Sequence, residues 1–198
     1  MIIIVQLVLF AACQTNESSV PDKGPVTDNT RIILDDTIQK LQQALPLVFP
    51  AGSVHINTDT TSPEVLLAFA NTLTGTPYLY GSTDPANGFD CSGFITYVFN
   101  HFNIAVPRSS IGFTDIEREI SLPEAKPGDI ILFTGTEVDS TFRKVGHMGI
   151  ISSNQNGECT FIHSTSGKAY GVTTSPLSKN YLQRFVKVLR VFPGNDSL

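Results

Sequence analysis

The chain has 198 residues, 41% of them hydrophobic and 16% charged, with a formal net charge of −5. That length suits one ordinary domain with a proper core and is short for two. The acidic balance offers no basic face to neutralise phosphates, so a general nucleic-acid binder is not expected, and it gives no attraction to anionic lipid headgroups.

Residues 1–12 are almost wholly apolar and lead through Ala11 and Ala12 into Cys13. The run is too short to span a bilayer and suits the apolar stretch of a secretory signal ending in small residues. The pattern also looks like a bacterial lipoprotein cleavage site, where Cys13 would be lipidated; a buried N-terminal strand is the alternative. Residues 1–13 are therefore expected to be a signal and cleavage region. The protein is expected to be exported to the periplasm or cell envelope and held on a membrane by a lipid at Cys13. Residues 14–29 read QTNESSVPDKGPVTDN, a polar tether. From Arg31 to Leu47, apolar residues at Ile33, Ile38, Leu41 and Leu45 favour a short amphipathic helix ended by Pro46. Residues 14–60 together are read as tether and short N-terminal segment, and residues 61–194 as the folded domain.

That domain reads as helices first and an antiparallel sheet afterwards, which is an α+β pattern. Thr61-Ser62-Pro63-Glu64 is a helix start, with a hydroxyl cap, proline in the first turn and an acidic residue placed for a capping box. Val65, Leu66, Phe69, Ala70 and Leu73 form its expected apolar face, and Gly75 ends it. A second helix is expected from Cys91 to about Phe102, with Phe94, Ile95, Val98, Phe99 and Phe102 as its stripe. After Pro127-Gly128-Asp129 the period changes. Ile130 to Phe133 is a wholly apolar run, as a buried strand would be. Residues 145–152, 158–163, 169–173 and 186–192 are further strands, with a short helix over 178–184.

Three cysteines are present. A lipidated Cys13 would leave Cys91 and Cys159 in an oxidising compartment. They could pair, but two cysteines are not a stapled scaffold, and a free exported thiol calls for a reason such as catalysis. Cys91 follows a turn-forming segment, residues 82–88, and opens an apolar-periodic helix. Unpaired N–H groups and the helix dipole favour an anion there, so a depressed thiol pKa and an oxyanion site are expected. A small buried cysteine is the plainer alternative.

Two of the four histidines stand out. His147 lies in Val145-Gly146-His147-Met148-Gly149-Ile150, and His163 in Phe161-Ile162-His163-Ser164. Residues 154–157, Asn-Gln-Asn-Gly, are a strong turn signal between them. A two-residue Asn156-Gly157 loop pairs residues whose numbers sum to 313 and places the histidines on opposite faces. A three-residue loop over 155–157 makes the sum 312, sets Gly149 opposite His163, and brings His147 to the same face. The three-residue loop is therefore expected, because one imidazole can then fix the tautomer of the other. His55, in a polar loop, and His101, at a helix C-terminus, carry only bland readings.

GTPYLYG at 75–81, GFDCSGF at 88–94, VPRSS at 106–110, KPGDIILF at 126–133, GHMGI at 146–150 and IHSTSG at 162–167 occur in order. Together they resemble the NlpC family of papain-like cell-wall peptidases over residues 62–192. The resemblance implies a papain-like α+β fold with Cys91 as nucleophile, His147 as general base and acid, and His163 as the orienting residue. Tyr78 would donate its hydroxyl to the oxyanion or to substrate. Asp90 and Ser92 match positions that in some members hold the free amine of an N-terminal L-Ala; capping the helix is their alternative. Arg108 also matches a family position on the substrate side, with a structural ion pair as its plainer role. The implied target is the γ-D-Glu–diamino acid bond of peptidoglycan stem peptides, cut by a monomer without cofactor or metal. Residues 14–60 are too few and too polar for the separate wall-binding barrel of many members, and an anchor at Cys13 would replace it. Competing readings are a papain-like amidase or acyltransferase on another substrate, a zinc site built from Cys91, His147 and His163, and a non-catalytic wall-associated lipoprotein.

Overall fold

The computed structural model describes residues 47–136 and 144–196. The chain divides into two units, residues 1–44 and 45–198. Cys13, the 14–29 tether and all but the last residue of the helix expected over 31–47 lie outside the described residues. No helix among the described residues is long and apolar enough to cross a membrane. Residues 47–60, expected to continue the tether, belong to the packed body: Ile56 is in the core, and Thr58 is buried with its hydroxyl donating to the Val191 carbonyl at 2.9 Å.

Helix α1 spans Pro63–Thr72. Ser62 is its cap, accepting the Val65 N–H at 3.4 Å, and Pro63 sits where its missing N–H costs nothing. Leu66, Leu67 and Ala70 are buried, with Phe69 and Leu73 partly so. Val65, expected on this face, is 52% exposed. The stripe centres on Leu66 and Ala70, one turn apart, which leaves Val65 on its flank in the first turn.

A two-residue hairpin, β1 (Thr83–Asp84) with β2 (Gly88–Phe89), leads into helix α2, Cys91–His101. Phe94, Ile95, Val98 and Phe99 on α2 are fully buried, as expected, each contributing about 1.5–3 kcal/mol. Six strands follow: β3 (Arg118–Ile120), β4 (Ile130–Thr134), β5 (Val145–Gln155), β6 (Glu158–Thr165), β7 (Gly171–Pro176) and β8 (Phe185–Arg190). They form one antiparallel sheet in the order β3-β8-β4-β5-β6-β7. Helix α3 (Lys179–Arg184) precedes β8.

Strand β4 is apolar from Ile130 to Phe133 because the sheet has cores on both faces. Ile130 and Leu132 join α1 and α2 in one cluster; Ile131 and Phe133 join Ile151, Cys159, Phe161 and Val188 in the other. Strand β7 starts after Tyr170, two residues later than expected, and runs on to Pro176. Proline is tolerated there because β7 is the sheet edge. Strand β3 and the β1–β2 hairpin were not anticipated; neither is long enough to show a period.

The β5–β6 hairpin corrects the expected loop. Gln155 pairs with Glu158, so the loop is the two-residue Asn156-Gly157, with φ of 55° and 80°. Both angles are positive, as a type I′ turn requires. The additional residue lies inside the strand. Ser153 pairs with Thr160 but Ile151 pairs with Phe161, so Ser152 is bulged and the sum changes from 313 to 312. The register at the histidines is the one expected; its cause is a bulge and not a longer turn.

Candidate active site

The segment that carries Cys91 is pinned on both sides. Phe89 donates its N–H to Pro77 O at 2.9 Å and accepts the Leu79 N–H at 3.1 Å, so residues 77–79 run along the two residues before the helix. Tyr78 is thereby fixed near Cys91, whose charge acts on its hydroxyl. Its N–H bonds Tyr170 O at 3.1 Å, and its ring meets that of Tyr170 edge-on at 5.8 Å. Burial, followed by the charges of Cys91 and Asp90, holds the Tyr78 hydroxyl above its ordinary pKa, so it remains a donor at neutral pH.

Asp90 is the cap of α2. Its carboxylate accepts the N–H groups of Gly93 and Gly81, the Ser92 hydroxyl at 3.2 Å, and Arg108 through both terminal nitrogens at 3.1 and 3.3 Å. Arg108 also donates to Ser92 Oγ at 3.0 Å and to Gly81 O at 2.7 Å. Asp90, Ser92 and Arg108 therefore form one network that locks the start of α2 onto the Gly81 turn. Because Asp90 is buried and already matched by a guanidinium, this geometry favours the capping and ion-pair roles of the three residues.

Cys91 is half-buried, and Cys159 is buried on the other face of the sheet; both are free thiols. Cys91 Sγ reaches β5, donating to Gly146 O at 4.0 Å, with the Met148 N–H acting on it as well. The thiol thus lies against the backbone on either side of His147. On β5, His147 turns its Nε2 toward Nδ1 of His163 on β6, 2.8 Å away. The bulge at Ser152 makes this possible, and Gly149 gives it room. A Cβ at position 149 would lie 2.6 Å from the Phe161 ring and 3.2 Å from His163 Cβ.

The electrostatics differ from the expected depressed thiol. Burial, and next the Asp90 charge, push the Cys91 thiol up to about 11, outweighing the N–H groups of the helix start. Burial, the neighbouring His163 and Arg184 hold His147 down to about 3; burial and Arg184 hold His163 down to about 4. At neutral pH the thiol and both imidazoles are therefore neutral. A thiol so held carries no standing thiolate at neutral pH.

The zinc reading fits poorly. His147 Nε2 and His163 Nδ1 point at each other at hydrogen-bonding distance, so each is engaged in the direction that a shared metal would need. Among the described residues no group of three His, Cys, Asp or Glu side chains is arranged to hold a metal.

Three residues around the imidazoles escaped the sequence reading. Ser175 Oγ lies 3.0 Å from His163 Nε2. Tyr181 on α3 stacks near-parallel to His147 at 6.4 Å and edge-on to His163 at 5.7 Å. Arg184 sits over the Tyr181 ring at 5.9 Å and donates twice to Thr134 O. Ser175 could have been found from β-alternation, given the β6–β7 register. Tyr181 and Arg184, in a six-residue helix, carry no such signal. His55 lies in an exposed contact with Glu117 at 3.4 Å, and His101 stacks on Phe69, both away from this site.

The sequence model of the NlpC/P60 family matches residues 75–191. The chain is 31% identical over 134 residues to gamma-DL-glutamyl hydrolase of Bacillus subtilis, covering 66% of this chain and 30% of that protein. It is 37% identical over 117 residues to the probable peptidoglycan endopeptidase LytE of the same organism, covering 59% and 30%. The chain thus spans about a third of the length of these relatives. Among solved structures, a protein of the family described as similar to lipoprotein, from Staphylococcus aureus, superposes with a TM-score of 0.56 at 27% identity, covering 78% of this chain and 48% of that one. With the family's match spanning the α2 start, the histidine hairpin and the papain-like α+β body, this chain belongs to the NlpC/P60 family.

Proposed function

We propose that the protein is a cell-wall cysteine endopeptidase that hydrolyses peptidoglycan stem peptides at the γ-D-Glu–diamino acid bond. The observation that carries this reading is the 2.8 Å bond between His147 Nε2 and His163 Nδ1, with Cys91 Sγ against Gly146 O. The bond occupies Nε2 of His147 and leaves Nδ1 to serve the thiol. His147 takes the Cys91 proton as sulfur attacks the scissile carbonyl, then gives it to the leaving amine. Water hydrolyses the resulting thioester by the reverse sequence. The backbone N–H of Cys91 and the Tyr78 hydroxyl face the developing oxyanion. The names of the two Bacillus relatives, gamma-DL-glutamyl hydrolase and probable peptidoglycan endopeptidase LytE, support hydrolysis at a γ-glutamyl bond and a peptidoglycan substrate. The site would act outside the cytoplasm, with Cys13 as lipid anchor.

The test is purified protein with L-Ala-γ-D-Glu-diamino acid peptides, with and without a free N-terminal amine, read by mass spectrometry. Cleavage after γ-D-Glu, abolished by Cys91→Ala and by thiol alkylation, is the expected result; an intact γ-D-Glu linkage refutes it. The anchor is tested separately, by palmitate labelling that Cys13→Ala should eliminate.

A further inference from the structure

His163 is fully buried and bonded at both ring nitrogens, to His147 through Nδ1 at 2.8 Å and to Ser175 Oγ through Nε2 at 3.0 Å. Those two contacts fix where the protons lie, once the role proposed above for His147 is granted. To accept a proton at Nδ1, His147 must carry its hydrogen on Nε2 and donate it to His163. His163 Nδ1 must then be the acceptor, so its own hydrogen lies on Nε2 and must be donated to Ser175 Oγ. The opposite chain, with Ser175 donating into His163, would put a hydrogen on His163 Nδ1 and turn His147 Nε2 into an acceptor. His147 would then carry its hydrogen on Nδ1 and could not act as a base.

We propose that Ser175 is a positioning residue for the hydrolysis, its hydroxyl accepting from His163 Nε2 and so selecting the one imidazole-pair tautomer that leaves His147 free to take the Cys91 proton. The sheet builds this contact. His163 pairs with Thr173 and Phe161 with Ser175, so Ser175 stands diagonally across from His163 on the same face. Phe161 and Tyr181 pack against His163 at 4.7 and 5.7 Å, which leaves the imidazole few other partners. A chain of proton positions thus runs from the sheet edge, at β7, to the nucleophile at the start of α2.

The experiment compares Ser175→Thr with Ser175→Val, two side chains of the same shape that differ in the hydroxyl. Both are strand formers, and equal thermal midpoints establish equal folding. Ser175→Thr is expected to keep wild-type kcat. Ser175→Val is expected to lower kcat about tenfold or more with KM unchanged, because only the fraction of enzyme in the right tautomer reacts. The tautomers are read without turnover, by long-range ¹H–¹⁵N NMR of the imidazoles in a Cys91→Ala background. His163 should be protonated on Nε2 there, and adding Ser175→Val should populate its Nδ1–H form. A proton found on His163 Nδ1 with Ser175 present, or equal kcat in the Thr and Val variants, overturns the proposal. Full activity of Cys91→Ala would instead overturn the hydrolase reading, and the NMR result would still decide the tautomer.

Discussion

Ser152 and Thr160 face each other across the β5–β6 hairpin with their hydroxyl oxygens 2.9 Å apart, at the residue where the two strands change step. The bulge places His147 and His163 on one face. Deleting Ser152 makes Ser153–Thr160 and Ile151–Phe161 consecutive pairs and keeps them there. Deleting Ser152 and Ser153 together instead steps the strand by one residue and throws His147 to the opposite face. The single deletion is expected to keep hydrolysis, and the double deletion to lose it together with much of the stability. A folded but inactive single deletion, or an active double deletion, would contradict this account.

Acid should destabilise the fold through the imidazole pair. Folding lowers His147 from 6.5 to about 3 and His163 from 6.5 to about 4. Below pH 6.5 the unfolded chain therefore binds protons that the native chain refuses, and stability falls as pH falls toward those values. Each group can contribute up to about 1.4 kcal/mol per pH unit over its window. Urea midpoints measured between pH 7 and 4 should decline, and a variant with both histidines changed to glutamine should decline less steeply.

The Cys91 thiol should alkylate slowly in the free protein at neutral pH. With the thiol raised to about 11, the iodoacetamide rate should climb about tenfold per pH unit from 7 to near 10. Asp90→Asn keeps a good helix cap but removes the second cause of that rise, so its rate profile should move to lower pH. A wild-type rate already at its plateau at pH 7 would show a standing thiolate instead.

Gly149→Ala would drive a methyl group to within 2.6 Å of the Phe161 ring and 3.2 Å of His163 Cβ. The expected cost is about 1–3 kcal/mol of stability, with a larger proportional loss in kcat because His163 must shift. Thermal unfolding and steady-state kinetics on the same preparation separate the two effects.

Much of this was legible in the sequence because local signals agreed with tertiary demands. Ser62-Pro63-Glu64 and Asp90 marked both helix starts to within a residue, and the apolar Ile130–Phe133 run announced a strand buried on both faces. The parity of the two histidines was readable, but its source was not. A two-residue turn with a bulge and a three-residue turn without one give the same sum at His163, and nothing local marks Ser152 as the surplus residue. The thiol was misjudged for a different reason. The helix start is visible in sequence, whereas the burial and the Asp90 charge that outweigh it depend on packing. Ser175 belongs to the same class, since its partner is set by a third strand.

Cys91 rests against the Gly146 carbonyl and the Met148 amide, main-chain groups of the strand that bears His147. The seat of the thiol on β5 is therefore set by main-chain atoms of the sheet and not by flexible side chains. The aromatic rim at Tyr78 and Tyr170 belongs to loops outside that strand. Under the proposed function the two are separately heritable: Tyr78 and Tyr170 can change with the stem peptide while the thiol keeps its seat on the strand.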